Sequence, residues 1–598
     1  VMIITGDVSQ LENTTNKNLP ITVNVTYINR QDATRNFTME NAQMRPQGTS
    51  SMFYPKKNFR LYTLKNINTI VRDYLGVIVP DKLYSFKVGS IPVSTWCFKS
   101  DFAESSGTHN TGIARLWNDA MTNMQVNING TPTHVCRTQS QQSAIDNSYP
   151  YDVRTTVDGF PIVMFYHVTE SDPLIFLGKY NFNNDKSTEN VFGFKGIPGF
   201  DNSRMQCWEV LDSGNPYALF NGVPSAWATN WASVYEGRYP DASTNTTDLE
   251  AFYTWVYNNK ENQVDFDAQM GNHLDLYKMA AYYVYLMRFG AVDQVAKNAM
   301  LTSEDGIHFY FINYDNDTIL GLDNDGKLVY DWRIDRQSKI TGTDFYVYAA
   351  HDSALWNRLE GSASFMELVK KVDQALFEAR KGITNVGLTY ENVIEMFNTK
   401  QSLKWCERVY NEDAKYKYLG PYKNNSTDNL AKLQGRRNLH RAWWLSNRFN
   451  YLDGKWMTGA FTKDGITFKC YAGSQGTTLR IVSGNDMYFG IKVQSTMIQS
   501  QYLEIGQGYD FAIDRDLQIG SPVSICNPAN IAEINLSNFM TNLASLDMTL
   551  VRNSLGETRL KKLILGNTLD SNNMISNISG LNNAVALQEL NIEGFSSI

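Results

Sequence analysis

The segment His308-Phe309-Tyr310-Phe311-Ile312-Asn313-Tyr314-Asp315-Asn316-Asp317 is an apolar run that ends in two carboxylates spaced i, i+2. Side chains alternate across a strand, so the pattern predicts Asn313, Asp315 and Asp317 on one face and Tyr310, Ile312 and Tyr314 anchoring the other. An oxygen-rich set on a rigid support suits a hard divalent cation such as Mg²⁺, which takes one or two carboxylates and shares its remaining positions with phosphate. An acidic turn after a strand is the alternative, because Asp and Asn favour turns.

Working outward, Leu274 to Phe289 is apolar almost all round, which predicts a helix buried in a core, with Gly290 as its C-cap. A short strand around Ala299-Met300-Leu301 and a turn at Glu304-Asp305-Gly306 make the decisive segment the second arm of a hairpin beside that helix. Residues 1 to about 90 read as strands, with clear alternation in Ile21–Tyr27 and Asn58–Leu64. Ile113 to Met121 has helical periodicity, and residues 160 to 195 return to strands. The polar stretch from about 235 to 248 reads as a surface loop.

Helices are expected from about 353 to 450, and period-two alternation from Trp456 to about Val523 predicts a β-sandwich module. Ile531–Leu536, Leu560–Leu565 and Leu587–Ile592 then follow an L-x-x-L-x-L pattern at intervals of 27 to 29 residues. That spacing matches a leucine-rich repeat, whose units bury their faces only by stacking. A first residue of Val points to a start further upstream, and the third unit points to more chain beyond Ile598.

A chain of 598 residues is too long for one core and predicts three to four domains at about 150 residues each. With 42% hydrophobic and 13% aromatic residues it is not generally disordered. A net charge of −7 leaves no basic footprint for duplex nucleic acid, and no apolar run reaches the roughly 18 residues a membrane-spanning helix needs. The six cysteines are scattered without Cys-x-x-Cys spacing, so neither a zinc site nor a disulfide framework follows, and buried free thiols are expected.

Three separated segments resemble the CotH kinase-like family. Arg45-Pro46-Gln47-Gly48-Thr49-Ser50-Ser51 and then Pro55-Lys56-Lys57-Asn58-Phe59-Arg60 are similar to its Arg-Gly-Asn-Ser-Thr and Lys-Lys-Ser-Tyr-Lys/Arg runs. Trp96-Cys97-Phe98-Lys99-Ser100-Asp101-Phe102, with Ser105-Ser106, matches a strand that runs into a polar turn and helix. Asn298 and Phe311–Asp317 resemble Asn-x-Tyr-x-Tyr and Ile-Pro-Trp-Asp-x-Asp. The likeness covers roughly residues 20 to 365.

The resemblance implies an atypical protein-kinase fold that uses Mg²⁺ and ATP. Asp315, Asp317 and Asn298 would then hold the metal, and Lys56, Lys57 and Lys99 would meet nucleotide phosphate. Asp293, together with Asn298 and Asp315, would form the catalytic set, with Asp293 orienting the acceptor hydroxyl. The chain departs from the family where His109-Asn110 stands in place of Arg-Asn, where Tyr314 replaces a Trp, and where Pro46-Gln47 displaces a Gly. His109, at an expected helix start, reads as a packing or capping residue.

The wording of Glu104–Gly112, Val191–Phe194 and Ala296–Asn298 is similar to CotH-like domains in virion proteins of crAss-like and related tailed phages of gut bacteria. The expected architecture is therefore α+β. A β-rich lobe (1–90) and the rest of a CotH-like domain (91–365) precede a helical extension (366–455), a β-sandwich (456–525) and the start of a leucine-rich-repeat segment (526–598). The favoured expectation is a phage tail component that assembles with other virion proteins and copies of itself in a symmetric ring, with host-surface contact in prospect. The alternatives are a working protein Ser/Thr kinase and a surface repeat protein of a gut bacterium.

Overall fold

Alternation in the first half of the chain closes a barrel. Strands Ile21–Tyr27, Met2–Thr5, Gly159–His167, Ile175–Asn184, Thr95–Lys99, Asn58–Tyr62 and Phe37–Gln47 follow one another in that spatial order. Pairing of Phe37–Gln47 back onto Ile21–Tyr27 completes the ring, which leaves those strands no open edge. All pairings are antiparallel except that of Met2–Thr5 with Gly159–His167. Inward residues are aromatic: the Phe182 ring lies 5.1 Å from Phe86 and 5.4 Å from both Phe98 and Tyr27. The complementary set, Arg45, Asn58, Arg60, Tyr62 and Lys99, is thereby turned outward.

The computed structural model describes residues 1–48, 50–54, 56–102, 109–186, 192–212, 214–322, 330–334, 352–397, 430–459, 465–494, 496–539, 542–553, 556–566 and 575–593. Glu104–Thr108, Val191 and Cys406 fall outside them. The other five cysteines are buried free thiols. Among the described residues no helix is long and apolar enough to cross a membrane.

A second, four-stranded antiparallel sheet runs Tyr235–Tyr239, Gln206–Val210, Ala299–Ser303, Phe309–Asn313. It packs on the expected helix, Leu276–Phe289, which begins at an N-cap where the Asp275 carboxylate accepts from the Lys278 amide at 3.1 Å. Every residue from Lys278 to Phe289 is buried, including Arg288, whose guanidinium meets Asp373 of helix Ala363–Phe377 at 2.9 and 2.5 Å. Gly290 ends the helix at φ +56°, and a Cβ there would stand 2.9 Å from the Trp444 ring. Gly290→Ala is expected to cost about 1–3 kcal/mol, read as a lowered urea midpoint.

The structure is α+β and divides into two units, Val1–Leu445 and Ser446–Ile598, a division that falls near the expected 455/456 boundary. The barrel runs past residue 90 to Asn184, because the strands that close it come from 95–99 and 159–184. The 365/366 boundary cuts the first turn of Ala363–Phe377, a helix clamped to the central one through Arg288. Tyr235–Tyr239 is a strand and not a loop. Tyr235 and Gly237 are buried while Glu236 and Arg238 face the other way, an alternation that the polar residues disguise.

In the second unit the 525/526 boundary disappears as well. Ile531–Asn535 pairs antiparallel with Thr478–Ser483 and parallel with Lys562–Ile564, which in turn pairs parallel with Glu589–Asn591. Register explains the continuity: Ile481, Ile534, Leu563 and Leu590 stand opposite one another in succession, so one apolar row crosses from antiparallel to parallel strands. The other sheet does the same, with Leu543–Asp547 antiparallel to Ile466–Cys470 and parallel to Asn577–Ser579.

Candidate functional site

The outward polar face of the barrel and the ends of the second sheet bound an open cleft of about 450 Å³. The barrel side carries Arg45, Gly48, Asn58, Arg60 and Lys99, and the facing side carries Lys186, Glu209, Arg238, Asp293, Asn298, Asp315 and Asp317. Seven basic and five acidic side chains line it in all, so a chain of net charge −7 presents a basic hollow here. Such a lining favours an anionic ligand.

Lys99 and Asp315 join the two sides. The Lys99 ammonium lies 3.2 Å from both Asp315 oxygens, across 216 residues of sequence. Burial works to lower the Lys99 pKa, but the Asp315 carboxylate, helped by Tyr314 and Asp317, holds it above the ordinary lysine value. Lys99 therefore stays charged at neutral pH. Asp315 sits at φ +57°, an uncommon conformation for a residue with a Cβ, so its surroundings must hold it there. Gln294 donates to its carbonyl, the Asn316 amide donates to Asn110 Oδ1 at 2.8 Å, and the Tyr285 hydroxyl donates to Asn316 Oδ1.

Asp293 opens a short 3₁₀ turn after the buried helix, and Asn298, at φ +51°, donates from Nδ2 to Asp293 Oδ2 at 3.2 Å. The turn is pinned from behind by Tyr282, whose hydroxyl donates to the Gln294 carbonyl at 2.8 Å, and by Trp356, whose indole donates to the Val295 carbonyl at 3.1 Å. On the barrel side Gly48, at φ +113°, leads the loop that brings Ser51 to the cleft, and Asn58 Nδ2 donates to Ser51 Oγ at 3.2 Å. A Cβ on Gly48 would collide with Ser51 Oγ, so this loop requires glycine.

Asp317 is pushed well above the usual carboxylate range by burial first and then by the charge of Asp315; Lys99 opposes the shift and Asp293 adds to it. Among the described residues no three of His, Cys, Asp or Glu are grouped to hold a metal. Asp315, Asp317 and Asn298, the residues expected to bind Mg²⁺, all line this cleft, and their oxygens are of the hard kind that such an ion takes. A divalent cation would also relieve the mutual repulsion that raises Asp317.

A pH dependence follows. Because the folded-state pKa of Asp317 is raised, the native chain keeps a proton that the unfolded chain releases above about pH 4. Stability attributable to this group is therefore full below pH 4 and declines as pH rises toward the raised value. In metal-free buffer Asp317→Asn is expected to be more stable than the parent at pH 7 and indistinguishable from it at about pH 3.5. Paired urea melts at the two pH values read the crossover.

Several expected site residues stand elsewhere. Lys57 donates to the Met52 carbonyl and Lys56 to the carbonyls of Ser100, at 3.3 Å, and Lys179, at 2.5 Å. Both are buried and neither lines the cleft, so of the three expected phosphate-binding lysines only Lys99 reaches it. The strand ends at Asn313, so the predicted alternation stops there. Asn313 lines a small internal hollow with Trp117 and Tyr282, while Tyr314, assigned to the opposite face, borders the cleft. His109 is fully buried at the start of a π-helical turn, its ring 5.7 Å from Phe397.

Sequence reasoning passed over Lys186, Glu209 and Arg238, which form one ion-paired cluster on the cleft wall. Arg238 also pairs with Glu236 at 2.6 Å, and the Lys186 ammonium lies 3.9 Å from the Tyr314 ring centroid. The available signal was the alternation within Tyr235–Tyr239, which fixes Glu236 and Arg238 on one side of a strand.

A barrel and a helix-backed sheet thus bound a basic cleft, with an acidic turn at its floor. No family model matches the chain, and no curated protein matches its sequence.

Proposed function

We propose that the first unit is a phosphotransferase of the CotH kinase-like kind, which moves the γ-phosphoryl group of ATP to a protein Ser or Thr hydroxyl. The observation that carries this reading is the Lys99–Asp315 pair, set on opposite walls of an open basic cleft together with Asp317, Asp293 and Asn298. Phosphoryl transfer asks a protein for little covalent chemistry and for much positioning and charge compensation. In this reading Lys99 and Lys186 meet phosphate oxygens, Asp315 and Asp317 hold Mg²⁺, and Asp293, oriented by Asn298, accepts the proton of the attacking hydroxyl. Bound Mg²⁺ would neutralise charge on the phosphates. The stacked parallel strands of the second unit serve, on this view, as a leucine-rich-repeat-like module that presents surface to partners.

A second reading keeps the same cleft as a vestige inside a tailed-phage virion, in which the chain is a tail scaffold packed among copies of itself. The burial of Lys56 and Lys57 onto backbone carbonyls favours it, since two of the three expected phosphate contacts are spent on structure. A place on a bacterial cell surface is the third. The test is transfer of radiolabel from γ-labelled ATP to a protein acceptor, alongside MgATP titration by calorimetry. Saturable MgATP binding with transfer supports the enzyme, and neither at millimolar nucleotide leaves the scaffold.

A further inference from the structure

Beside the cleft lies a second hollow of about 580 Å³ on the outer face of the barrel, and the two share Arg45, Arg60 and Arg238 as a common wall. Arg45 and Arg60 stand directly opposite each other on antiparallel strands. Like charges placed this way repel, and a rigid sheet cannot splay them apart. Arg60 is compensated by Asp185 at 3.0 Å, and Arg238 by Glu209 and Glu236. Arg45, among the described residues, makes no ion pair: its guanidinium donates to the Tyr62 hydroxyl at 2.8 Å and to the Lys17 carbonyl at 2.6 Å. The Tyr62 hydroxyl also receives Arg60 at 3.5 Å, so both guanidinium groups converge on one neutral oxygen. Lys65 and the Asp241 carboxylate also line the hollow, which with Asp185 makes four basic and two acidic side chains.

A guanidinium that makes no ion pair, held only by the neutral oxygens of Tyr62, Lys17 and Pro46 against a second arginine, is an arrangement that an incoming anion stabilises. We infer that this hollow is an acceptor subsite for an acidic peptide segment, with Arg45 as the residue that recognises a carboxylate near the target hydroxyl. The inference rests on the phosphotransferase reading for the word acceptor, but the binding it requires does not need the chemistry to work. The hollow adjoins the catalytic cleft through shared side chains, so a peptide bound in it would run toward Asp315 and Asp293. Charge selects the partner: a basic peptide would meet a wall of three arginines, and a neutral one would leave Arg45 unmatched.

The test uses the full chain and three fluorescein-labelled peptides of equal length centred on Ser, flanked by Glu, Gln or Lys, read by anisotropy. The Glu peptide is expected to bind at least about tenfold more tightly than the Gln peptide, and the difference should shrink with added salt. Arg45→Gln should reduce Glu-peptide affinity to that of the Gln peptide, while Arg45→Lys keeps part of the preference and shows that the loss is not unfolding. Equal affinity for Glu and Gln peptides, an unaltered preference in Arg45→Gln, or complete displacement of the Glu peptide by ATP would each overturn the subsite. Retention of the preference by a chain that binds no MgATP would instead remove the kinase reading and leave the groove standing.

Discussion

Asp315→Ala is expected to lower phosphoryl transfer by roughly a thousandfold, the scale of losing a preorganised charged group in a site of this kind. Two losses coincide in that variant. The cation would forfeit its main carboxylate, and Lys99 would lose the partner that holds it charged and in place. The second loss also reaches stability, since Lys99 is buried and an ammonium without a counter-charge costs several kcal/mol. A double variant separates the two effects. Lys99→Met with Asp315→Ala should recover most of the lost thermal stability and none of the transfer. Recovery of transfer would mean that Asp315 serves only to neutralise Lys99.

The largest purely structural effect is expected at the Arg288–Asp373 pair. Both side chains are about 2% exposed and meet in a two-pronged contact. Asp373→Ala removes this two-pronged carboxylate contact from a buried guanidinium and should destabilise the first unit by about 3–5 kcal/mol. Replacing both partners, as in Arg288→Met with Asp373→Leu, should restore much of that, because desolvation of the pair offsets most of its attraction. Urea denaturation of the parent and the two variants reads this directly. A small loss in Asp373→Ala would show that water reaches the pair and that the helices are less tightly clamped than their contact implies.

Much of the architecture was legible from periodicity. The strand Ile21–Tyr27, the central helix with its glycine cap and the hairpin of 299–313 all follow from local apolar spacing, because each buries a face regardless of its partner. The three Leu-patterned segments were likewise recognisable, and they do lie parallel and in register. The barrel was not legible as a unit. Its seven strands are split by the helices Ala114–Asn123 and Gln139–Asp146, and nothing local says that Thr95–Lys99 pairs with residues 82 to 88 positions on. The extent of the barrel was hidden for the same reason, since changes in local pattern do not mark where a shared core ends.

In the candidate site, residue chemistry and residue placement part company. Short-range pattern was enough to mark Asp315 and Asp317 as oxygen donors able to bind a metal, because charge and donor type are properties of the side chain alone, whereas Asp293, Asn298 and Lys99 came only from the family resemblance. Which of three lysines meets the aspartate, and that Arg238 and Glu209 stand beside it, depended on long-range folding. Lys56 and Lys99 are both lysines near barrel strands, yet one meets carbonyls in the interior and the other a carboxylate across the cleft. A charged side chain settles wherever the folded chain supplies its counter-charge, and for Lys99 that partner lies more than two hundred residues away.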